Sequence, residues 1–195
     1  METRIALLDS AERVARQRGY DGFSYADLAR DVGIRKASIH HHFPSKADLA
    51  LSLVERYATR FQAELIALSR EHASAADQLS AYRDLYRDAL AEGTQLCLCV
   101  AMSAGPDSLA DPILDALNQF HTDSVAWLTD VFETARRDGS VLHVLDAEAD
   151  ARATLALMEG AQLVARAAKN VALFDRATAA FSARLTRPET DEVPA

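Results

Sequence analysis

Apolar side chains return at intervals of three and four along nearly the whole chain, the period of helices that bury one face. The pattern breaks at sparse glycines and prolines, seven and five in all: Gly19, Gly22, Gly33, Pro44, Gly93, Gly105-Pro106, Pro112 and Gly139 are the main boundaries. These marks predict an all-α chain with helices over about 3–18, 25–32, 36–43, 46–71, 75–92, 96–104, 111–138, 146–169 and 173–185. Asp111-Pro112 reads as a cap followed by proline at the first helical position. Asp146 reads as the cap of the next helix, with Glu148 in its first turn. The tail from Arg187, with Pro188 and Pro194 among acidic residues, is expected to be disordered.

The pattern is most specific between Ser24 and Leu49. Ser24 can accept from the Asp27 backbone N–H, and Asp27 suits the positive end of the helix dipole. Leu28, Ala29 and Val32 share one face, Gly33 ends the helix, and Ile34, Ile39 and Phe43 continue the apolar set. The next short helix therefore keeps only Ile39 and Phe43 for the core. Arg35, Lys36, Ala37, Ser38, His40 and His41 are left facing outward, with His42 at the end. Two short helices around a glycine turn, the second presenting basic and small residues, match a helix-turn-helix whose recognition helix enters the DNA major groove. Pro44 stops that helix and Ser45-Lys46-Ala47-Asp48 repeats the cap pattern, placing Lys46 where an ammonium and helix N–H groups can grip a phosphate. His40-His41-His42 is not a metal motif, because consecutive helical residues project about 100° apart and cannot converge on one ion.

The stretch resembles the DNA-binding domain of the TetR/AcrR family of transcriptional regulators. The matching residues are Ser24, Leu28-Ala29, Gly33-Ile34, Lys36, Ser38-Ile39, His42-Phe43 and Ser45-Lys46, preceded by the Arg18-to-Ser24 run Arg-Gly-Tyr-Asp-Gly-Phe-Ser. Three positions depart from the family pattern. Arg35 replaces a Ser or Thr cap, Ala37 replaces Gly, and His40 and His41 replace two aromatics. The resemblance implies that His40 stands where the family offers a phenolic hydroxyl to a phosphate, a hydrogen bond an imidazole can also donate. It implies a helix-turn-helix domain over residues 1–45 and a helical effector-binding and dimerisation domain over 46–186, with 187–195 as the tail.

Composition changes this picture little. A chain of 195 residues that is 49% hydrophobic and 26% charged is ordinary for a globular protein with a sizeable core. It has no uninterrupted apolar run of about 18 residues, so no membrane span is expected. The opening Met-Glu-Thr-Arg-Ile lacks a signal peptide's layout, so a cytoplasmic location is expected. Net charge is −8, which by itself speaks against a nucleic-acid partner, but its distribution is uneven. Residues 1–60 carry ten Lys/Arg against eight Asp/Glu, and the remainder 11 against 21. The excess of positive charge lies with the DNA motif and would orient docking on double-stranded DNA.

Beyond residue 46, Phe61, Tyr82, Tyr86, Met102, Phe120, Trp127 and Met158 describe either an apolar effector cavity or a plain helical core, with His121 and Gln162 as polar groups able to orient a ligand. Cys97 and Cys99, the only cysteines, are placed on one helix about 200° apart, which disfavours a bond between them. They lack the neighbours zinc needs, so no metal or other cofactor is expected. Two readings stand: inert buried thiols, or a sensor alkylated or oxidised by a reactive effector. The segment around Cys97 is similar to the sixth-helix region of family branches that respond to reactive compounds.

The eighth helix is rich in small residues, including Ala153, Ala156, Gly160 and Ala167, and the ninth spaces Phe174, Phe181 and Leu185 helically. Their apolar surface exceeds what one small domain can easily cover, which suggests a two-fold homodimer interface, with internal core packing as the alternative. The resemblance implies the dimer, whose recognition helices would lie about 34–36 Å apart on a pseudo-palindromic operator. It further implies a repressor released by a small-molecule or thiol-reactive effector, with activation a minority outcome of the family. An enzyme is disfavoured, since the chain shows no phosphate loop, His-Glu-x-x-His or Ser-His-Asp layout. An interaction module that lost DNA binding would favour an acidic recognition helix, and Arg35, Lys36 and Lys46 argue against that.

Overall fold

A capping box starts each of the two helices that frame the reading head. Ser24 accepts from the Asp27 N–H while its own N–H donates to the Asp27 carboxylate, and Ser45 and Asp48 do the same two helices later. The computed structural model describes residues 2–186. It consists of α1 (Glu2–Arg18), α2 (Tyr25–Val32), α3 (Lys36–His42), α4 (Lys46–Glu71), α5 (Ala75–Ala89), α6 (Leu98–Ser103), α7 (Asp111–Asp138), α8 (Ala147–Ala167), α9 (Ala172–Ala177) and α10 (Ala179–Ser182). Among the described residues there is no strand, only one bridge between Val141 and Leu185. None of these helices is long and apolar enough to cross a membrane. The tail expected from Arg187 lies outside the described residues.

Four boundaries differ from those the pattern predicts. The expected ninth helix is two pieces, parted at Thr178, whose hydroxyl turns back to donate to the Phe174 carbonyl at 2.9 Å. The fifth helix stops at Ala89, before Ala91, Glu92 and Gly93 take positive φ. Asp111 is the first helical residue rather than the cap, a place held by Ala110 without a side-chain bond. The sixth helix begins at Leu98, with Cys97 before it in an extended conformation. Asp146 does cap α8, accepting from the Glu148 and Ala149 N–H groups.

The buried apolar residues form one continuous cluster, running from Leu7, Leu28, Ile39 and Phe43 through Leu49 and Leu53 to Tyr82, Phe120, Met158 and Phe174. Helix α7 pairs with α8, and α4 and α5 pack on α7. Helix α1 packs against α2 and α4 on one side and α6 on the other, so it touches both the reading head and the body. Its C-terminal half is fastened to the body by polar bonds. Arg16 donates to the carbonyls of Ala89 and Leu96, each at 2.8 Å, and the Arg16 carbonyl accepts from the Leu96 N–H. Arg166 of α8 reaches the Gln17 carbonyl at 3.2 Å, and Arg56 and Arg60 of α4 share Glu12.

Candidate nucleic-acid interface and effector core

The reading head is held rigid from behind. Gly33, with φ 74° and ψ 30°, occupies the left-handed position that turns α2 into α3, a conformation glycine takes without the cost of a Cβ. Ile39 and Phe43 are buried, and the Tyr25 hydroxyl donates to the Phe43 carbonyl at 2.9 Å and also reaches that of Ser45. The far side is free: Arg35, Lys36, Ala37, Ser38, His40 and His41 are exposed and His42 is half-buried. Six outward residues beginning at the N-terminal end of a seven-residue helix give donors without acidic neighbours on that helix.

Two members of the set are more constrained than their spacing suggested. His40 turns Nδ1 to the Pro44 carbonyl at 3.1 Å and packs edge-on against Tyr25, ring centres 4.9 Å apart. A carbonyl only accepts, so Nδ1 carries the hydrogen; Nε2 of a neutral ring is then a bare lone pair, and only the protonated ring donates to a phosphate. Lys46 seats its ammonium over Tyr20 and Phe23, 4.2 and 4.7 Å from the ring centres. Partial burial pushes its pKa down, against the pull of Asp21. Ser24 spends its hydroxyl on the α2 cap. Among the described residues no three metal-ligating side chains gather.

The residues proposed for an effector divide into three groups. Phe61, Tyr82, Tyr86 and Phe120 pack as one aromatic cluster, with ring centres 5.1 Å apart for Phe61 and Phe120 and 5.2 Å for the two tyrosines. Trp127 stacks on Tyr82 at 5.5 Å and donates to Ser69 at 2.9 Å. Met102 and Met158 are buried. Gln162 is fully buried and both ends of its amide are engaged: Oε1 accepts from the Cys97 N–H at 2.9 Å and Nε2 donates to the Tyr86 carbonyl at 2.5 Å. It ties α8 to α5 and to the start of α6. His121 stands apart, in a groove of about 520 Å³ between α7 and α8 that Asn118, Arg152 and Glu159 also line.

In that groove His121 Nε2 and Glu159 Oε1 face each other at 3.2 Å, off the angle of a good hydrogen bond. The Glu159 carboxylate raises the His121 pKa, against the effect of burial. The pair's stabilisation is therefore fully present below the ordinary histidine range and lost as pH rises through the raised value. Between about pH 6 and pH 9 the urea midpoint is expected to fall by the equivalent of less than about 1 kcal/mol. His121→Gln removes that slope, and an unchanged slope in the variant would refute the assignment.

The cysteines are placed differently from the sequence expectation. Because Cys97 precedes α6 with φ −50° and ψ 139°, its side chain does not follow helical directions, and the two thiols come close enough for each to alter the other's acidity. Both are buried, at 2% and 0% exposure. Burial works to raise the Cys97 pKa. The neighbouring Cys99 thiol and the Tyr57 hydroxyl, which donates at 3.3 Å, outweigh it and bring the thiol down to about 7. Burial and the neighbouring Cys97 push Cys99 up instead. Tyr57 is one residue the sequence reading missed. It lies one turn before Phe61 on α4, so extending that apolar stripe by four residues would have found it. Arg16 and Glu159 were missed too, because charged residues at helical spacing give no sign of a buried partner.

A helix-turn-helix with an exposed basic helix, set on a helical body through α1 and α4, defines a DNA-binding transcriptional regulator. Residues 7–53 match the family of bacterial regulatory proteins of the tetR type. A TetR-family regulator from Agrobacterium tumefaciens has a crystal structure that superposes with a TM-score of 0.90 at 32% identity, over 95% of this chain and 98% of that one. The repressor NemR of Escherichia coli is 25% identical over 184 residues, 91% of each chain. The repressor BepR of Brucella suis is 27% identical over 172 residues, 82% of this chain and 78% of that protein. This chain belongs to the TetR family, whose members are regulators of transcription and not enzymes.

Proposed function

We propose that the protein is a homodimeric repressor that binds a pseudo-palindromic operator through α3 and is released by a small-molecule or thiol-reactive effector acting on the core around α6. The exposed face of α3 carries this reading: Arg35, Lys36, Ala37 and Ser38 stand where a recognition helix meets base edges, and His40, His41, His42, Lys46 and the Ser24 helix start flank them for the backbone. Residues 1–45 act as the DNA-binding unit and 46–186 as the effector and dimerisation unit. Tight packing of Phe61, Tyr82, Tyr86, Phe120, Trp127, Met102 and Met158 supports an effector that must open this core. Its binding free energy then differs between the DNA-competent and released arrangements, the difference being about 1–3 kcal/mol in a typical coupled pair of sites.

The path of coupling is short. Cys97 follows Leu96, whose carbonyl and N–H both bond Arg16 of α1, and α1 packs on α2. A group added at Cys97 shifts Leu96, then Arg16, then the spacing of the reading heads. Dimerisation through α8 and the α9–α10 pair is supported by the exposed Leu163 and Val164 beside Gly160.

The test is fluorescence anisotropy on the protein's own upstream DNA and on scrambled DNA across a salt series. Saturable preference for one palindromic segment is expected. Lys46→Ala weakens binding to all sequences and lowers the salt slope by about one, whereas Lys36→Ala costs about 1–3 kcal/mol at one position of the operator and relaxes preference there. Equal losses on every sequence for both variants would defeat this division of roles.

A further inference from the structure

We propose that Cys97 and Cys99 form a dithiol site for a trivalent metalloid, with arsenous acid as its model ligand, reached from the cavity between α1, α4 and α5. The inference rests on the reading that the α6 region controls DNA affinity, but the site itself is tested separately. Two buried thiols two residues apart, the first of them ahead of the helix and so free of its side-chain directions, are too few for zinc, which takes four ligands in a structural site, and no third ligating group gathers with them among the described residues. They suffice for arsenic(III), a soft centre that takes three ligands in a pyramid, two sulfurs and one hydroxide.

The route to the pair is visible. A cavity of about 470 Å³ opens between the three helices, lined by Arg16, Tyr57, Arg60, Phe61, Glu64 and Asp88 among others. Tyr57 forms part of its wall and on the other side donates to the Cys97 sulfur, so one side chain separates the cavity from the thiol. The cavity's mixed charges suit a small uncharged molecule with three hydroxyl groups. Turning the Tyr57 ring admits it.

The reaction balances without a redox partner. Each thiol displaces one hydroxide from arsenous acid, so two As–O bonds break, two As–S bonds form, and the two thiol protons leave in two molecules of water. Arsenic stays trivalent. Cys97, the more acidic thiol, attacks first as its thiolate. Cys99, already beside it, closes the ring as an intramolecular step. Bridging the residue before α6 to the second residue within it fixes the start of that helix, next to Leu96 and the Arg16 bonds.

The full-length protein is incubated with arsenite, and bound arsenic and remaining thiols are counted after unfolding. One arsenic per chain with both thiols consumed, reversed by 2,3-dimercaptopropanol, is expected. Cys97→Ser and Cys99→Ser each weaken uptake by about a hundredfold or more, because a single thiol loses the chelate. Uptake that survives either serine variant, or that leaves both thiols titratable, overturns the proposal. Uptake without any change in affinity for upstream DNA supports the site and defeats thiol control of DNA binding. Absence of uptake, while N-ethylmaleimide still releases DNA, overturns the site and preserves that control.

Discussion

Gln162→Leu lowers the free energy of unfolding by about 2–5 kcal/mol, measured by urea denaturation with the midpoint and slope both recorded. The side chain is fully buried and both ends of its amide are used, at the Cys97 N–H and the Tyr86 carbonyl. Leucine has nearly the same volume, so no cavity enters the comparison, but two buried backbone groups lose their partner. Each costs about 1–3 kcal/mol when left unsatisfied. The Tyr86 carbonyl has no replacement in the helix, because the chain turns at Leu90, whose N–H goes to Arg87 and Asp88 instead. Gln162→Glu separates amide from size: its carboxylate still accepts from Cys97 but cannot donate to Tyr86. The expected loss lies between wild type and Leu when Glu is protonated, and exceeds it at neutral pH, where a buried charge is added. Wild-type stability in Gln162→Leu would mean that water or a shift of α6 satisfies both groups.

If the proposed dimer forms through α8, Gly160→Trp is expected to convert the protein to a monomer and to reduce affinity for a two-site operator by about 10²–10⁴-fold, since each head then binds without the other's effective concentration. Glycine in mid-helix costs about 1 kcal/mol relative to alanine. Yet a Cβ at Gly160 would meet nothing within 4 Å among the described residues. Nothing among the described residues requires the glycine. A second helix passing close to the α8 backbone would, and the neighbouring Leu163 and Val164, 43% and 55% exposed, supply apolar surface for it to cover. Sedimentation of Gly160→Trp and Gly160→Ala checks this. Alanine is expected to leave the isolated fold intact while loosening the dimer, and tryptophan to abolish it with the helical circular dichroism unchanged. A Gly160→Trp dimer with wild-type operator affinity would move the interface elsewhere.

The reading head was legible because its determinants are local. Ser24 with Asp27, Gly33 in the left-handed turn, Ser45 with Asp48 and the apolar set of Leu28, Ile39 and Phe43 act within a few residues of one another, and the structure places each as its spacing implied. The failures came where distant groups decide. Cys97 and Cys99 were placed on one helix and so turned apart, but the N–H of Cys97 is taken by Gln162, 65 residues away, and the helix begins one residue later. The ninth helix was drawn in one piece because its periodicity is unbroken through Thr178, which no local breaker marks.

An all-α chain, the helix-turn-helix and its exposed basic face follow from the order of amino acids, since capping, periodicity and turn chemistry are short-range and written in adjacent residues. Packing between distant helices settled that Tyr57 covers Cys97, that Gln162 is a crosslink and that Arg16 joins α1 to the start of α6. Those contacts bring together residues from 40 to 80 positions apart. Packing of helices fixes them, and the period of any one helix says which face is buried but not which partner it meets there.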